Sequence, residues 1–412
     1  MTSLSLLLWI FLGLTLQVAI WLGIEFWRHW AEYRVLKNGD AHQQVPDAVS
    51  EPALASAWTG LRSFRVDRKV IEDAAGTICS FYLVPTDGQP LASFLPGQFL
   101  TFRLDLPTEQ IIRCYSLSDA PHPDYYRVSI KRVPAPAGSD LPPGRSSNHF
   151  HDHVSVGDTL QVRAPGGHFH IDRSDAPVVL IGGGIGITPM LSMLHWCLAE
   201  QPGREAWLFY GVRNSREPVM KAQLEALVAA HPNFHVRFCF SDPLPEDEVG
   251  RDYQHHGRVD VALFRTALPL KPYNFYICGP TPMMESLVAA LEDWGVPEAR
   301  IHFEAFGPAS IKRKPAVASV APVEMAASDI VVTFAKSGKQ LPWRPASGSL
   351  LDFAEANGIR VDSGCRAGGC GSCQTTIQSG EVAYRNPPDY DPEPGTCLLC
   401  TCTPKTSVTL EA

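Results

Sequence analysis

A run of cysteines near the C-terminal end constrains this chain more than any other feature. Cys365, Cys370 and Cys373 stand in a C-x4-C-x2-C arrangement, and Cys397, Cys400 and Cys402 follow about one hairpin later. The residues inside the run, Arg366-Ala367-Gly368-Gly369 and Gly371-Ser372, make a small glycine-rich loop. Thiolates spaced this way wrap a loop around a [2Fe–2S] cluster, and the glycines let backbone N–H groups approach the sulfurs. Structural zinc is the poorer reading, because zinc sites pair C-x2-4-C units. A disulfide scaffold is poorer still, since 11 cysteines in 412 residues are few and clustered, which points to metal.

The segment from about 330 to 412 resembles a plant-type ferredoxin. Within it, Leu398-Leu399-Cys400-Thr401-Cys402-Thr403-Pro404 resembles the strand that carries the last ligand in that family. The resemblance implies Cys365, Cys370, Cys373 and Cys400 as the ligands, with Cys397 and Cys402 as alternates for the fourth. It also implies an α+β (β-grasp) domain over 329–412.

A chain of 412 residues is long for one domain and suggests two to four. With 45% hydrophobic residues it can bury several cores, which excludes wholesale disorder. A formal net charge of −8 argues against nucleic acid as a partner, because neutralising phosphates takes basic clusters.

From Leu4 to Trp27 the sequence is almost continuously apolar, with Gln17 and Glu25 as its strongly polar members. About 20 such residues cross a bilayer as a helix. Trp21, Trp27 and Trp30 fall towards one end, Arg28, Arg34 and Lys37 follow, and no Lys or Arg precedes the run. The positive-inside rule then predicts a single-pass anchor over 3–27, with the N-terminus outside and the body in the cytoplasm. A cleaved signal peptide fits less well, for want of a basic n-region and an A-x-A site.

Residues 38–57 are polar and small and read as a linker. From 58 to 172 short alternating runs, such as Gln98-Phe99-Leu100-Thr101-Phe102 and Tyr126-Arg127-Val128-Ser129-Ile130, are broken by Pro and Gly turns. That pattern predicts an antiparallel β-barrel. From 173 to 307, strands such as Val178-Val179-Leu180-Ile181 alternate with helical stretches such as 220–230, which predicts a parallel α/β domain. Residues 308–328, rich in Pro, Ala and Val, form a second linker.

The barrel segment carries Arg113-Cys114-Tyr115-Ser116, preceded by Pro96-Gly97-Gln98-Phe99. In strand geometry Arg113 and Tyr115 share one face and Ser116 takes the other. A cation for a pyrophosphate, an aromatic ring and a hydroxyl for an isoalloxazine are what a flavin site needs. These residues, followed in order by YYRVSIKR, Gly144-Arg145-Ser146-Ser147-Asn148, SNHFHDHVSVGD and Pro165-Gly166-Gly167, resemble the ferredoxin–NADP reductase superfamily, most of all the reductase half of flavohemoglobins. The resemblance implies FAD in preference to FMN, held by Gln98, Arg113, Tyr115, Ser116, Val128, Ile130, Gly144, Ser146 and Ser147. The Gly144–Asn148 segment is then a pyrophosphate-cradling turn. His149, His151 and His153 alternate as strand residues on one face would, and the resemblance makes them structural residues of the barrel and not metal ligands.

Val178–Ile181 runs into Gly182-Gly183-Gly184-Ile185-Gly186-Ile187-Thr188-Pro189, a strand, a glycine-rich turn and a helix start that together make an anion site. Tyr276-Ile277-Cys278-Gly279-Pro280 and Phe303-Glu304-Ala305-Phe306-Gly307 keep the order of the same superfamily. By that resemblance Gly183, Gly184, Gly186, Thr188, Pro189, Cys278, Gly279 and Pro280 hold NADH or NADPH. Phe306 approaches the flavin, and Ser116, Cys278 and Glu304 serve catalysis. Arg213, Ser215 or Arg216 could hold a 2′-phosphate; flavohemoglobin-like sequences that use NADH also carry an Arg here, which tips the reading towards NADH.

Taken together, the resemblance implies a membrane-anchored NAD(P)H:acceptor oxidoreductase of the ferredoxin type. It would pass electrons from NAD(P)H through FAD and the cluster to an oxygenase, hydroxylase or desaturase partner. Two alternatives are a respiratory NADH:quinone electron-input subunit, in which the ferredoxin precedes the flavin domain, and a redox sensor without turnover. A nitric-oxide dioxygenase is not expected, because no globin-sized segment precedes Leu61.

Overall fold

The computed structural model describes Gln17, Trp58, and residues 60–107, 109–135, 138, 142–306 and 330–412 without 365, 367, 385–387, 389 and 391. The chain divides into two units, Met1–Leu54 and Ala55–Ala412, and the architecture below is that of the second. The anchor expected over 3–27 (Gln17 apart, which is helical) and both linkers lie outside the described residues, as do Cys365 and Gly307. Among the described residues no helix is long and apolar enough to cross a membrane.

Strands β1 (Arg62–Ile71), β2 (Ile78–Pro85), β3 (Phe99–Asp105), β4 (Gln110–Ser116), β5 (Tyr126–Lys131) and β6 (Thr159–Gly166) form one antiparallel sheet in the order β4-β3-β6-β1-β2-β5. Leu117, just past β4, bridges Val128 of β5, so the first and last strands in that order meet and the sheet closes into a barrel. The period-two pattern explains the closure: Leu100, Phe102 and Leu104 on β3, and Leu160 and Val162 on β6, alternate into the interior.

Between β5 and β6 the structure corrects the sequence reading. Residues Arg145–His153 form a helix, α1, with Gly144 as its N-cap, not a turn followed by a strand. Phe150 is its buried apolar anchor, meeting Phe81 and Phe102 edge-on at 5.2 and 5.3 Å. On a helix, alternate positions do not share a face. His149 and His153 lie one turn apart, with ring centroids 5.5 Å apart, while His151 Nε2 points to the Ile130 carbonyl at 2.9 Å.

The second domain has strands β7 (Val178–Gly183), β8 (Ala206–Val212), β9 (Phe234–Phe240), β10 (His255–His256), β11 (Asn274–Cys278) and β12 (Ile301–Glu304). They make an all-parallel sheet in the order β10-β9-β8-β7-β11-β12. Its connections include helices α2 (Ile187–Glu200), α3 (Lys221–Ala230), α4 (Val261–Ala267) and α5 (Thr281–Asp293). A parallel sheet is covered on both faces, and β7 shows why its sequence is apolar throughout. Val178 and Leu180 pack with α2 and α3, while Val179 and Ile181 pack with α4 and α5.

The last domain is a mixed sheet of β13 (Val331–Phe334), β14 (Lys339–Pro342), β15 (Gln374–Ser379), β17 (Thr396–Leu398) and β19 (Val408–Leu410). A separate pair is formed by β16 (Val382–Tyr384) and β18 (Cys402–Pro404). Helix α6 (Leu350–Ala356) opens on a capping box between Ser349 and Asp352, which satisfies two otherwise orphaned N–H groups. It lays Leu350, Leu351, Phe353 and Ala354 into the core, as an α+β domain requires.

Candidate active site

Strand β4 carries the flavin-side candidates. The Tyr115 ring meets Phe102 and Phe150 edge-on at 5.8 and 5.3 Å, and its hydroxyl shares a 2.7 Å hydrogen bond with Ser146 Oγ. Burial pushes the Tyr115 phenol up to about 12, so it stays protonated and able to donate. The Arg113 guanidinium donates to the Ile112 carbonyl at 2.7 Å. Helix α1 has no side-chain cap and no acidic residue in its first turn. Its first N–H groups therefore lack helical partners and present positive charge. Arg113, Ser146 and this helix start form a donor set that suits a pyrophosphate.

Other candidates on this side have structural duties. Gln98 Oε1 accepts from the Leu95 N–H at 2.8 Å and its Nε2 donates to the Gly167 carbonyl at 3.2 Å. Ser147 Oγ accepts from the Val133 N–H and donates to the Gly144 carbonyl, both at 3.2 Å. Val128 and Ile130 are sealed in the barrel core, which leaves their backbone alone for any ligand.

On the nicotinamide side the turn after β7 packs against the end of β11. A Cβ on Gly186 would lie 2.1 Å from the Cys278 carbonyl oxygen, and one on Gly279 would lie 3.0 Å from the Gly183 Cα. Gly184, at φ +54°, faces open space, so the turn is closed behind and open in front. Thr188 Oγ1 donates to the Ile185 carbonyl at 3.0 Å, and Thr188 and Pro189 are buried at the start of α2. Helix α2 likewise begins without a side-chain cap, which suits a dinucleotide's phosphates. The close contact yields a prediction. Gly186→Ala must move backbone, and a displacement of about 1 Å costs on the order of 100-fold. Flavin reduction by NADH should fall by that factor while dithionite still reduces the protein fully; an unchanged NADH rate would show that the turn is not where the nucleotide binds.

The three catalytic candidates converge from different strands. Cys278 of β11 and Glu304 of β12 are register partners, and Ser116 Oγ reaches Glu304 Oε2 at 3.5 Å. Complete burial, reinforced by Glu304, holds the Cys278 thiol well above its ordinary value, so it is a neutral thiol. Phe306 is exposed beyond the end of β12. Arg213 is engaged: its Nε donates to Glu217 Oε1 at 2.7 Å.

In the last domain the loop after Gly364 runs through left-handed backbone at Arg366 (φ +56°), Gly368 (+79°) and Gly371 (+69°). Arg366, the non-glycine among them, is held by a two-pronged ion pair with Glu355 of α6 at 2.9 and 2.6 Å. The loop brings backbone donors to sulfur: the Gly368 N–H serves Cys400 and the Cys400 N–H serves Cys373. Cys373 and Cys400 are neighbouring free thiols, as are Cys402 and Cys397 inside the core. Cys370 Sγ lies 3.1 Å from Ser372 Oγ. Cys370, Cys373 and Cys400 thus gather at the loop, a donor set that fits a four-cysteine cluster. Among the described residues no three acidic, His or Cys side chains close on a single-ion site.

Sequence reasoning did not find the residues that hold these sites together. Asp119 joins the barrel to α2, accepting at 2.7 Å from His195. Tyr390 joins the cluster loop to the barrel, with the Arg163 guanidinium 5.2 Å from its ring centre. Asp119 lies in the run Arg113–Pro121 that continues the flavin motif, but nothing in that run marks it as a domain contact, and no local pattern marks Tyr390.

Three family models match the chain: an oxidoreductase FAD-binding domain over 76–171, an oxidoreductase NAD-binding domain over 180–289, and a 2Fe-2S iron-sulfur cluster binding domain over 332–405. The chain is 37% identical over 291 residues to a flavohemoprotein of Halalkalibacterium halodurans, covering 69% of each. It spans 61 to 69% of the length of such curated relatives. Among solved structures it resembles the flavohem-like FAD/NAD-binding domain of nitric oxide dioxygenase from Vibrio cholerae O1 biovar El Tor, with 35% identity and a TM-score of 0.53 over 60% of this chain and 99% of that one. It also resembles phthalate dioxygenase reductase, with 26% identity and a TM-score of 0.51 over 86% of this chain and 98% of that one. The cofactors of these domains are FAD, NAD(P)H and a [2Fe–2S] cluster, and the chain is an NAD(P)H-dependent oxidoreductase. The chain belongs to the oxidoreductase family that the flavohemoproteins represent, pairing an FAD-binding barrel with an NAD-binding domain as ferredoxin–NADP reductases do, with a 2Fe–2S domain joined on its C-terminal side.

Proposed function

We propose that this protein is the reductase component of an oxygenase, hydroxylase or desaturase system, taking electrons from NAD(P)H through FAD to its own [2Fe–2S] cluster and on to the partner. The observation that carries this reading is the seat of the cluster loop. The Gly369 carbonyl lies 3.6 Å from where a Cβ on Gly166 would stand, and a Cβ on Gly364 would lie 3.5 Å from Ile112. Ile112 is on β4, next to Arg113, so the loop rests on a strand of the flavin site. The likeness to phthalate dioxygenase reductase, a modular structure for electron transfer from pyridine nucleotides to [2Fe–2S], supports the same order.

Bound together, these groups supply hydride delivery, splitting of the electron pair, and one-electron carriage. The chain's own residues set the geometry. Arg113, Ser146 and the start of α1 would hold the flavin pyrophosphate, with Tyr115 beside its ring system. Ser116 offers a hydroxyl that Glu304 orients, and the neutral Cys278 thiol would face the nicotinamide without adding charge. Cys365, Cys370, Cys373 and Cys400 would hold the cluster. NADH is favoured over NADPH, because Glu217 already occupies the Arg213 guanidinium and would repel a 2′-phosphate.

The domain division at 58–172, 173–307 and 329–412, with linkers between, belongs to the same proposal. So does the anchor over 3–27, which rests on the apolar run and its flanking charges and places the body in the cytoplasm. The test is anaerobic stopped-flow mixing with NADH or NADPH. Bleaching of the flavin band and then a change in the cluster band, faster with NADH, is expected; a cluster band that never moves would end the reading. Release of the full chain from membranes by carbonate washing would end the anchor.

A further inference from the structure

Tyr390 is fixed to the cluster loop from two sides. Its backbone N–H donates to the Gly368 carbonyl at 3.0 Å. Its ring fills the space in front of Gly371, where a Cβ would lie 2.6 Å from the ring. The ring therefore moves with the loop. On the barrel, Arg163 projects from β6, and its guanidinium carbon lies 5.2 Å from the Tyr390 ring centre. Arg163 and Arg103 share a cavity of about 210 Å³ with Ile112, whose described lining has no acidic side chain, and Arg103 Nε is buried there without a hydrogen-bond partner. The barrel thus offers cations at this seam, and among the described residues what the ferredoxin presents to Arg163 is the face of an aromatic ring. That is a cation–π contact, with a ring centroid inside the roughly 6 Å over which such attraction acts.

Two further close approaches at this seam, the Gly369 carbonyl to Gly166 and Gly364 to the Ile112 side chain, bring the loop against the barrel. Electron transfer between two sites falls steeply with distance, so whatever fixes the register sets the rate. We propose that Arg163 and Tyr390 are positioning residues that seat the cluster loop on the flavin-bearing strands. The inference rests on the electron path given above and names the pair that governs its flavin-to-cluster step. A contact of this class is strong enough to favour one seat and weak enough to release it, which a carrier serving a second protein needs.

The test uses the full-length protein with Arg163→Ala, Tyr390→Ala and Tyr390→Phe. Two readouts apply: amide hydrogen exchange over 159–166 and 366–373, and the two phases of stopped-flow reduction by NADH. Both alanine variants should raise exchange in both segments and slow the cluster phase, each on the order of fivefold, with the flavin phase unchanged. Tyr390→Phe keeps the ring face and should match the wild type, which also shows that the loop folds and loads normally. Exchange and cluster-phase rates unmoved by either alanine would overturn the proposal, as would a phenylalanine variant that behaves like the alanine one. A wild-type cluster that NADH never reduces would defeat the electron path instead, while the exchange data would still decide the seat.

Discussion

Replacing Cys400 with serine or alanine is expected to strip the cluster from the protein, cutting bound iron and sulfide at least tenfold while flavin content stays at the wild-type level. The equivalent changes at Cys397 and Cys402 should leave the cluster in place. Sequence spacing alone could not separate these three cysteines, which lie within six positions of one another. Their surroundings do separate them. Cys400 neighbours the Cys373 thiol and receives the Gly368 N–H, so it belongs to the loop. Cys397 and Cys402 are neighbouring free thiols, and both are wholly buried in the apolar core. A serine there buries a hydroxyl in place of a thiol, which costs about 1–3 kcal/mol of domain stability and leaves the ligand set alone. Iron analysis and the visible spectrum read the result. A Cys402→Ser protein without its cluster, beside a Cys400→Ser protein that keeps it, would reassign the fourth ligand to the core pair.

The sequence made the three domains legible because each carries a pattern tied to backbone geometry. Alternation over Leu100–Leu104 marks a barrel strand. An all-apolar Val178–Ile181 followed by glycines marks a parallel strand and its turn. A cysteine triplet with interspersed glycines marks a tight loop. The segment 145–153 was misread for a physical reason: Ser, Asn, His and Asp around one Phe give no helical stripe, while its histidines alternate as on a strand. Eight polar residues form a helix here because Phe150 anchors them against Phe81 and Phe102. Contacts between domains were illegible altogether. Asp119 meets His195, and Arg163 meets Tyr390, through single side chains far apart in sequence, and periodicity records nothing of such pairs.

The second large effect is expected at Asp119, the residue that ties the barrel to α2. Its carboxylate accepts from His195 at 2.7 Å and from Tyr125 at 3.0 Å, and pairs with Arg127 at 3.3 Å. Its carbonyl accepts from Ser192 of α2 at 2.7 Å. Arg127 is only 4% exposed, so removing the carboxylate leaves a buried guanidinium without its counter-charge. Breaking a buried pair from one side costs about 3–5 kcal/mol, and Asp119→Ala should lower Tm by about 10 °C, since 1 kcal/mol shifts a unit of this size by roughly 2–4 °C. Burial alone would raise the Asp119 carboxyl, but His195 and Arg127 outweigh it and hold the group below its ordinary value. A depressed folded value means the stabilisation is complete above the unfolded carboxyl's value, about 3.9, and drains away as pH falls below it. Asp119→Asn should therefore lose less stability than the wild type between pH 5 and 3, although it starts lower at pH 7. Catalysis should suffer as well, because Ser116 comes from the barrel and Cys278 and Glu304 from the nucleotide domain, and the Asp119 junction helps fix their 3.5 Å approach. The NADH-to-flavin phase should slow by an order of magnitude or more. A Tm within 2 °C of the wild type and an identical acid profile would mean that the two domains are held in place elsewhere, for instance where the Ala75 N–H donates to the Arg216 carbonyl at 3.0 Å and Lys131 faces Glu217 at 3.9 Å.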